Sequence, residues 1–335
     1  MGAVRDARRA REDTSMLKRI LPAILLTALL GGTAAAQSWP SKPIRVVIPF
    51  SAGSAVDLIG RTLFEQVDKQ LGSTSIIEPR VGAGGTIAAT AVAKSAPDGY
   101  TLYLASSAHT LTALTYKNLQ FDAGKDFAPV TTVATLANVL VASPNKGYKT
   151  IQDLVAAAKA KPGTLNYASV GPATASHMNA ERFRLSAGFQ AQHVPFKGSP
   201  EALTEVMTGR VDFYFVPLLP ALPLIRDNRV VPLAIGGLKR IPQLPNIPTT
   251  IEAGYPNSDY MFWFGVLFPA KTPPEIVDRM SQEIQKALAV SAVRERLAKL
   301  GTEPWATGPT DFAALISKEL KENAEIIKAA GIKTN

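Results

Sequence analysis

The sequence contains no cysteine and only three histidines, His109, His177 and His193. The lack of cysteine excludes disulfide bonds, thiol catalysis and a lipid-modified cysteine. The sequence also lacks a G-x-S-x-G nucleophile elbow, an H-E-x-x-H motif and a Walker motif. No group of Asp, Glu and His side chains has the spacing of metal ligands. We therefore expect no catalytic residue, no metal site and no cofactor.

Long apolar runs are equally scarce, and the run near the start, Ile20–Leu30, is too short to cross a bilayer. It follows Lys18 and Arg19 and precedes three alanines that end at Ala36. This order predicts a secretory signal peptide cleaved after Ala36. Because the residues before Met16 are polar and arginine-rich, Met16 is an alternative translation start. The mature protein is expected in a bacterial periplasm.

The charge is mildly positive. The whole chain carries a formal charge of +9, of which residues 1–36 contribute three, so the mature chain is near +6. No cluster of lysine and arginine is interleaved with aromatic residues, which argues against a nucleic-acid partner. A modest positive field favours anionic ligands.

Strand and helix patterns alternate from Trp39 onward, with short connections rich in glycine and proline. This alternation predicts an α/β protein, and a chain with 46% hydrophobic residues is long enough for two domains. Extended stretches near Val130–Ser143 and Tyr260–Phe268 separate two α/β blocks. The three prolines of Pro217–Pro223 predict an extended or kinked segment. One long helix is predicted from Thr272 to Leu300.

The stretch Ile44–Arg61 predicts a buried strand, a turn at Ser51–Ser54 with small side chains, and a helix. Backbone N–H groups of such a turn, with a helix dipole behind them, form an anion site; an ordinary strand–helix turn is the alternative. Similar small-residue turns end other predicted strands at Gly82–Thr86, Ser106–Ser107 and Ser169–Thr174. These turns supply hydrogen-bond donors without an acid, base or nucleophile, which suits recognition of a carboxylate.

Several short motifs follow one another along the chain. They are Trp39–Arg45, Pro49–Phe50, Glu78–Arg80, Gly82–Gly85, Pro97–Leu102, Asp126–Val130, Asn166–Ser169, Val194–Gly198 and Gly209–Asp212. In this order they resemble the periplasmic solute-binding receptors of tripartite tricarboxylate transporters, often called the Bug family. The resemblance covers about Trp39 to Ala330.

The resemblance implies a two-domain periplasmic binding protein of the Venus flytrap type, in which each domain is a mixed sheet flanked by helices. Domain 1 would comprise 37–139 and 261–335, and domain 2 would comprise 140–260. It also implies a monomeric receptor that captures a small organic carboxylate or dicarboxylate, or a related anion, between the domains and presents it to membrane permease subunits. A co-sensor for a membrane kinase and a periplasmic hydrolase are the alternatives.

The candidate ligand-binding residues lie in segments that match the family. They are Phe50, Ala52, Gly53, Ser54, Val56, Asp57, Ser106, Ser107, Ser169, Gly171, Thr174, His177, Phe196, Lys197, Gly198 and Asp212. Family members usually have a second glycine where this chain has Ser54, and a Thr or Ser where it has Val56. Asp57 is either a ligand contact or the partner of Ser54 in a capping box.

Other candidates have structural alternatives too. Lys197 could attract an anion or remain a solvated loop lysine, and His177 could donate to an anion or lie on a helix surface. Asp212 could bond a ligand hydroxyl or amine, or cap a strand end. Phe50 and Phe196 could pack on the carbon skeleton of a ligand or belong to the core.

Overall fold

The computed structural model of the protein describes residues 39–332. Within them, eleven strands form one sheet of six strands and one of five. The predicted signal peptide and its cleavage site lie outside the described residues. No helix in the described part of the chain has the length and apolar character needed to span a bilayer.

The elements alternate along the chain. The strands are β1 Ile44–Ile48, β2 Ser75–Pro79, β3 Thr101–Ser106, β4 Phe127–Leu136, β5 Asn138–Ala142, β6 Asn166–Ser169, β7 Gln192–Pro195, β8 Phe213–Pro217, β9 Val231–Ile235, β10 Phe262–Pro269 and β11 Thr302–Pro304. The helices are α1 Ala55–Leu71, α2 Thr86–Ala93, α3 Ala108–Thr115, α4 Ile151–Ala160, α5 Ala175–Ala187, α6 Ser199–Met207, α7 Leu218–Arg226, α8 Pro274–Ala289, α9 Ser291–Lys299 and α10 Pro309–Ala330. Short 3-10 turns occur at Ala83–Gly85 and Pro144–Lys146.

The first sheet has the strand order β11-β4-β10-β3-β1-β2, and the second has the order β7-β6-β8-β5-β9. In the first sheet β1 runs parallel to β2 and β3, whereas β10 runs antiparallel to β3 and β4. In the second sheet β6 runs parallel to β7 and β8, and β5 runs antiparallel to β8 and β9. The predicted mixed sheets are therefore confirmed.

Helices cover both faces of the second sheet, and β8 shows why. Its side chains alternate, so that Phe213 and Phe215 pack with α4 and α5, while Tyr214 and Val216 pack with α6 and α7. In the first sheet, Trp263 of β10 packs with Phe312 of α10. Strands that are buried on both faces read as nearly continuous apolar runs, and this made them visible in the sequence.

The chain passes between the two sheets twice. Strand β4 ends in the first sheet at Leu136, and β5 begins in the second at Asn138. The return runs from the end of β9 at Ile235 to the start of β10 at Phe262. Strand β5 thus begins two residues before the predicted domain limit at 140. The predicted domain limits stay a prediction.

Two elements differ from the prediction. Of the two alternatives for Pro217–Pro223, the extended one was wrong, because α7 begins at Leu218 and contains Pro220 and Pro223. Pro220 lies in the first helical turn, where the N–H groups have no intrahelical acceptor, whereas Pro223 lies inside the helix and removes one intrahelical hydrogen bond. The helix expected from Thr272 to Leu300 is two helices, α8 and α9, separated at Val290, whose backbone is extended.

A substitution at Gly265 tests the packing at the centre of the first sheet. A Cβ atom on Gly265 would overlap the ring of Phe312, which is fully buried. We expect Gly265→Ala to lower the free energy of unfolding by about 1–3 kcal/mol, measured by urea denaturation.

Gly237→Ala is the matched control. Its Cβ would meet no atom closer than 4.0 Å, so we expect a change within about 0.5 kcal/mol. Equal losses in the two variants would contradict the packing of Gly265 against Phe312.

Candidate functional site

A cavity of about 430 Å³ lies where both sheets present the carboxyl ends of parallel strands; we call it the cleft cavity. Open α/β sheets bind ligands at such strand ends. The residues that line it are Phe50, Gly84, Ser106, Ala108, Leu111, Thr112, Thr115, Tyr116, Leu136, Asn138, Val170, Pro172, Ala173, Thr174, Ala175, Ser176, Pro217 and Phe262. Leu136 and Phe262 are cross-strand partners in the first sheet, and Asn138 and Pro217 are partners in the second. The floor of the cavity is therefore built at the two connections between the sheets.

One wall of the cleft cavity is a face of α3. Four residues of this helix, Ala108, Leu111, Thr112 and Thr115, line the cavity at the three- and four-residue spacing of one helix face. The Thr112 hydroxyl donates to the carbonyl of Ala108 at 2.8 Å, and that of Thr115 donates to the carbonyl of Leu111 at 2.9 Å. The wall therefore has hydroxyl groups whose hydrogens are already bonded within the helix.

The opposite wall is the turn between β6 and α5. The Thr174 hydroxyl donates to the carbonyl of Gly171 at 2.7 Å, and the Ser176 hydroxyl accepts from the N–H of Val170 at 3.2 Å. The N–H groups of Ala175 and Ser176, in the first turn of α5, have no acceptor in the described chain. These N–H groups and the helix dipole behind them favour an anion in this part of the cavity.

The turn is held from behind by two stacked imidazoles. The Nδ1 atom of His177 accepts from the N–H of Ala173 at 2.9 Å, and its ring lies parallel to that of His193 with centroids 3.9 Å apart. Nε2 of His193 is 2.6 Å from the Ser169 hydroxyl, which also bonds the N–H of Gly171. Burial, followed by the charges of His193 and Arg184, lowers the pKa of His177 to about 3. His177 is therefore neutral near pH 7, and Nδ1 stays an acceptor.

Ser169, Gly171 and His177 are thus not among the residues that line the cleft cavity. His177 does not lie on a helix surface, since only 5% of it is exposed, and its contact with a ligand stays a prediction. The hydrogen-bonding capacity that suggested a ligand contact is used to shape the turn.

The first strand–helix turn contributes only Phe50 to the cavity. Both carboxylate oxygens of Asp57 accept from Nε of Arg61 at 3.0 Å, and one also accepts from the N–H of Gly53 at 2.9 Å. Two of the N–H groups expected to serve an anion, those of Gly53 and Ser54, are therefore bonded inside the protein. The capping box is not formed, because Ser54 makes no side-chain capping bond and its N–H donates to the carbonyl of Ser51 instead of to Asp57. The remaining candidates of this turn, Ala52 and Val56, do not line the cavity either.

The environment of Asp57 explains why it serves the fold. Burial by itself raises the pKa of this carboxyl, but the hydrogen bonds from Arg61 and Gly53 and the charge of Arg61 outweigh burial and lower the pKa. Its side chain is 3% exposed. Asp57 thus bonds Gly53 and Arg61 at the start of α1 and is not the capping-box partner of Ser54, while its contact with a ligand stays a prediction.

Four other candidates lie outside the cavity lining. Ser107 is fully buried, and its N–H donates to the carbonyl of Trp263. Phe196 packs against the core of the second sheet. Lys197 is exposed, and Gly198 immediately precedes α6. Phe196, Lys197 and Gly198 follow β7, which is an edge strand of its sheet and the strand farthest from the connections between the sheets.

Asp212 lies at the end of the second sheet that is opposite to the cleft cavity. It immediately precedes β8, so it is at the amino end of a strand whose carboxyl end reaches the cavity. Its carboxylate pairs with Nζ of Lys146 at 2.7 Å and accepts from the N–H of Asn166 at 2.7 Å. These bonds agree with the strand-end alternative for Asp212, and its ligand role stays a prediction.

Three predicted residues, Phe50, Ser106 and Thr174, do line the cleft cavity. The prediction missed α3, because no helix was assigned to Ala108–Thr115. A signal was present, because Ala108, Leu111, Thr112 and Thr115 have helical spacing. It was weak because threonine is a poor helix former.

The buried carboxyl group of Glu319 contacts the start of α3. One carboxyl oxygen of Glu319 lies 2.8 Å from the Thr110 hydroxyl, and the other accepts from Nε1 of Trp263 at 2.9 Å. The Thr110 hydroxyl also lies 3.0 Å from the carbonyl of Ser107. Since that hydroxyl has one hydrogen, both contacts are satisfied together only when Glu319 is protonated and donates to Thr110. In agreement, burial raises the pKa of Glu319 to about 7.

No acidic, basic or histidine side chain of the described residues lines the cleft cavity. Nor do residues 39–332 contain a group of three or more His, Cys, Asp or Glu side chains arranged to hold a metal ion. The arrangement presents hydrogen-bond donors and apolar surface, which can hold a solute by shape and by hydrogen bonds.

Two mixed α/β sheets joined by two connections, with a donor-bearing cavity at their strand ends, are typical of a solute-binding receptor. The chain belongs to the tripartite tricarboxylate transporter receptor family, because the sequence model of that family matches residues 59–332. This confirms the resemblance seen in the sequence. The family is one of solute-binding receptors and not of enzymes, so the hydrolase alternative is set aside.

Individual relatives agree over nearly the whole chain. The protein BugT of Bordetella pertussis is 31% identical over 328 residues, covering 96% of this chain and 99% of BugT. The structure of R. palustris Rpa4515 with adipate is 30% identical to this chain in sequence, with a TM-score of 0.73. The match covers 89% of this chain and 100% of the Rpa4515 chain. MatC from Rhodopseudomonas palustris with bound malate is 29% identical with a TM-score of 0.69, and covers 86% and 100%. The predicted periplasmic-binding-protein fold is confirmed.

The raised pKa of Glu319 predicts a pH dependence of stability. Between about pH 4.5 and pH 7 the folded protein keeps a proton on Glu319 that the unfolded chain releases, so this group's contribution to stability falls as pH rises. Glu319→Gln abolishes that contribution. We expect the wild type to lose about 3 kcal/mol relative to Glu319→Gln between pH 4.5 and pH 7.5, measured by urea denaturation.

Glu325→Gln on the same helix is the control, because Glu325 is exposed. It should keep the pH profile of the wild type. Parallel profiles for wild type and Glu319→Gln would contradict a protonated, buried Glu319.

Proposed function

We propose that the protein is a periplasmic receptor that captures a small organic carboxylate in the cleft cavity and delivers it to the membrane permease subunits of a tripartite transporter. The observation that carries this proposal is the meeting, in one cavity, of strand ends from both sheets with unbonded donors and without any acidic or basic side chain. A neutral, donor-bearing cavity holds an anion and lets it leave unchanged.

The carboxylate would sit at the start of α5. There the N–H groups of Ala175 and Ser176 have no protein acceptor, and the positive end of the helix dipole adds to their attraction. The hydroxyls of Ser106 and Tyr116 face the same cavity and can donate to a bound oxygen. Hydrogen bonds to a charged acceptor are stronger than bonds between neutral groups.

The two connections between the sheets would act as the hinge, with domain 1 comprising 37–139 and 261–335 and domain 2 comprising 140–260. Rotation about the hinge would close the cavity over the ligand, and the closed form would be the one presented to the permease. The periplasmic location would follow from cleavage after Ala36, and the receptor would act as a monomer. Family membership and the two R. palustris structures, one with adipate and one with malate, support this proposal.

A change at Ala175 tests the position of the carboxylate. Ala175→Asp places a negative charge in the first turn of α5, where the helix dipole stabilises that charge but the charge repels an anionic ligand. We expect folding to be retained and affinity for the ligand to fall at least about tenfold, measured by isothermal titration calorimetry. The ligand comes from a thermal-shift screen of mono-, di- and aromatic carboxylates, in which about 100 times Kd should stabilise the wild type by about 2.7 kcal/mol.

Ala175→Asn is the isosteric, uncharged control and should weaken binding less than Ala175→Asp. Asp212→Asn, at the end of β8 that is opposite to the cleft cavity, should leave the affinity for the ligand unchanged. The proposal is wrong if no organic acid stabilises the wild type, or if Ala175→Asp binds as tightly as the wild type. Co-purification of the liganded receptor with permease subunits tests the transport partner, and recovery of a kinase ectodomain would contradict it.

A further inference from the structure

The hydroxyl hydrogens around the cleft cavity are mostly committed to the protein itself. Thr112 and Thr115 donate to carbonyls of their own helix. Thr174 donates to the carbonyl of Gly171, so its 3.1 Å contact with the Ser176 hydroxyl uses the hydrogen of Ser176. A hydroxyl has one hydrogen, so these four side chains can only accept from a ligand, and an accepting oxygen does not bind a carboxylate.

The donors left for a ligand are few among side chains. They are the hydroxyls of Ser106 and Tyr116 and one amide hydrogen of Asn138, whose other bond goes to Asn179 at 3.4 Å. The backbone adds the N–H groups of Ala175 and Ser176 in the first turn of α5, and the lining residues Phe50 and Gly84 also have N–H groups without an acceptor in the described chain. A carboxylate offers about four acceptor positions. All of these donors are uncharged, and they are sufficient for one carboxylate.

The rest of the lining is apolar. Phe50, Leu111, Leu136, Val170, Pro217 and Phe262 all face the cavity. A second carboxylate would be buried against these side chains without a cation, since no charged side chain of the described residues lines the cavity. Burying an ionised group without a partner is strongly unfavourable, whereas an alkyl chain or a ring gains free energy from the same surface.

From the donor census and the apolar lining, we infer that the cleft cavity selects a monocarboxylate with an apolar body, such as a medium-chain or aromatic acid, over a di- or tricarboxylate. The inference rests on the proposed function, because it names the ligand class of the same cavity. The carboxylate is held at the α5 end, and the body of the ligand lies on the apolar side chains. This goes beyond the adipate- and malate-bound relatives, whose ligands carry two carboxylates.

Pairs of acids that differ only in the second carboxylate provide the test. Hexanoate is compared with adipate, and benzoate with terephthalate, by isothermal titration calorimetry on the wild-type protein. We expect each monocarboxylate to bind at least about tenfold more tightly than its dicarboxylate partner. Thermal-shift measurements on the same four acids provide an independent ranking.

A new cation should shift this preference. Phe50 lines the cavity and is 37% exposed, so Phe50→Lys adds a charge without opening the core. We expect it to reduce the hexanoate-to-adipate preference at least about tenfold. Leu58→Lys is the matched control, because Leu58 is 38% exposed on α1 and does not line the cavity; its preference should equal that of the wild type.

The outcomes separate the two proposals. If adipate binds the wild type as tightly as hexanoate or more tightly, the monocarboxylate inference is overturned and the receptor function stands. If Phe50→Lys and Leu58→Lys change the preference equally, the apolar lining is not the cause, and the inference is likewise overturned. If no organic acid binds, the proposed function itself fails and the inference fails with it.

Discussion

A buried hydrogen-bond donor must find an acceptor, and this constraint decides what the cleft can offer a ligand. In the turn between β6 and α5, the N–H groups of Val170, Gly171 and Ala173 are all bonded to side chains of the protein. In the first strand–helix turn, Asp57 takes the N–H of Gly53. The groups that no internal acceptor reaches include the N–H groups of Ala175 and Ser176 at the first turn of α5 and the hydroxyls of Ser106 and Tyr116. Ligand recognition therefore depends on the hydrogen-bond donors that remain unbonded in the folded protein.

The sequence was a good guide to the fold because its signals were local. The strand predicted within Ile44–Arg61 and the extended stretch predicted near Tyr260–Phe268 appear in the structure as β1 and β10. The errors have local causes too. Proline occurs inside α7, and the extended backbone of Val290 divides a predicted helix, because packing in these places prevails over intrinsic preference.

The site was harder to predict because the availability of a donor is not local. Ser169 has the chemistry of a ligand contact, but it is bonded to His193, which only the folded chain brings close. His177 and Asp57 are bonded to groups four residues away, and these bonds depend on the conformation of the turns rather than on residue type. Phe50, Ser106 and Thr174 were found because they end strands or begin helices at the right edge of a sheet. Thr112 and Thr115 were missed because the helix that carries them has a composition unfavourable to helices.

The stacked imidazoles behind the β6–α5 turn have a thermodynamic consequence. Since Ala173 and Gly171 are anchored through His177 and Ser169 in the free protein, little of the turn needs to be ordered when a solute arrives. Preorganised groups lose less conformational entropy on binding, and more of the interaction free energy then appears as affinity. The conformational cost of ligand binding would then come from movement at the two connections between the sheets. In a receptor that must later release its ligand, that cost limits the time for which the ligand stays bound.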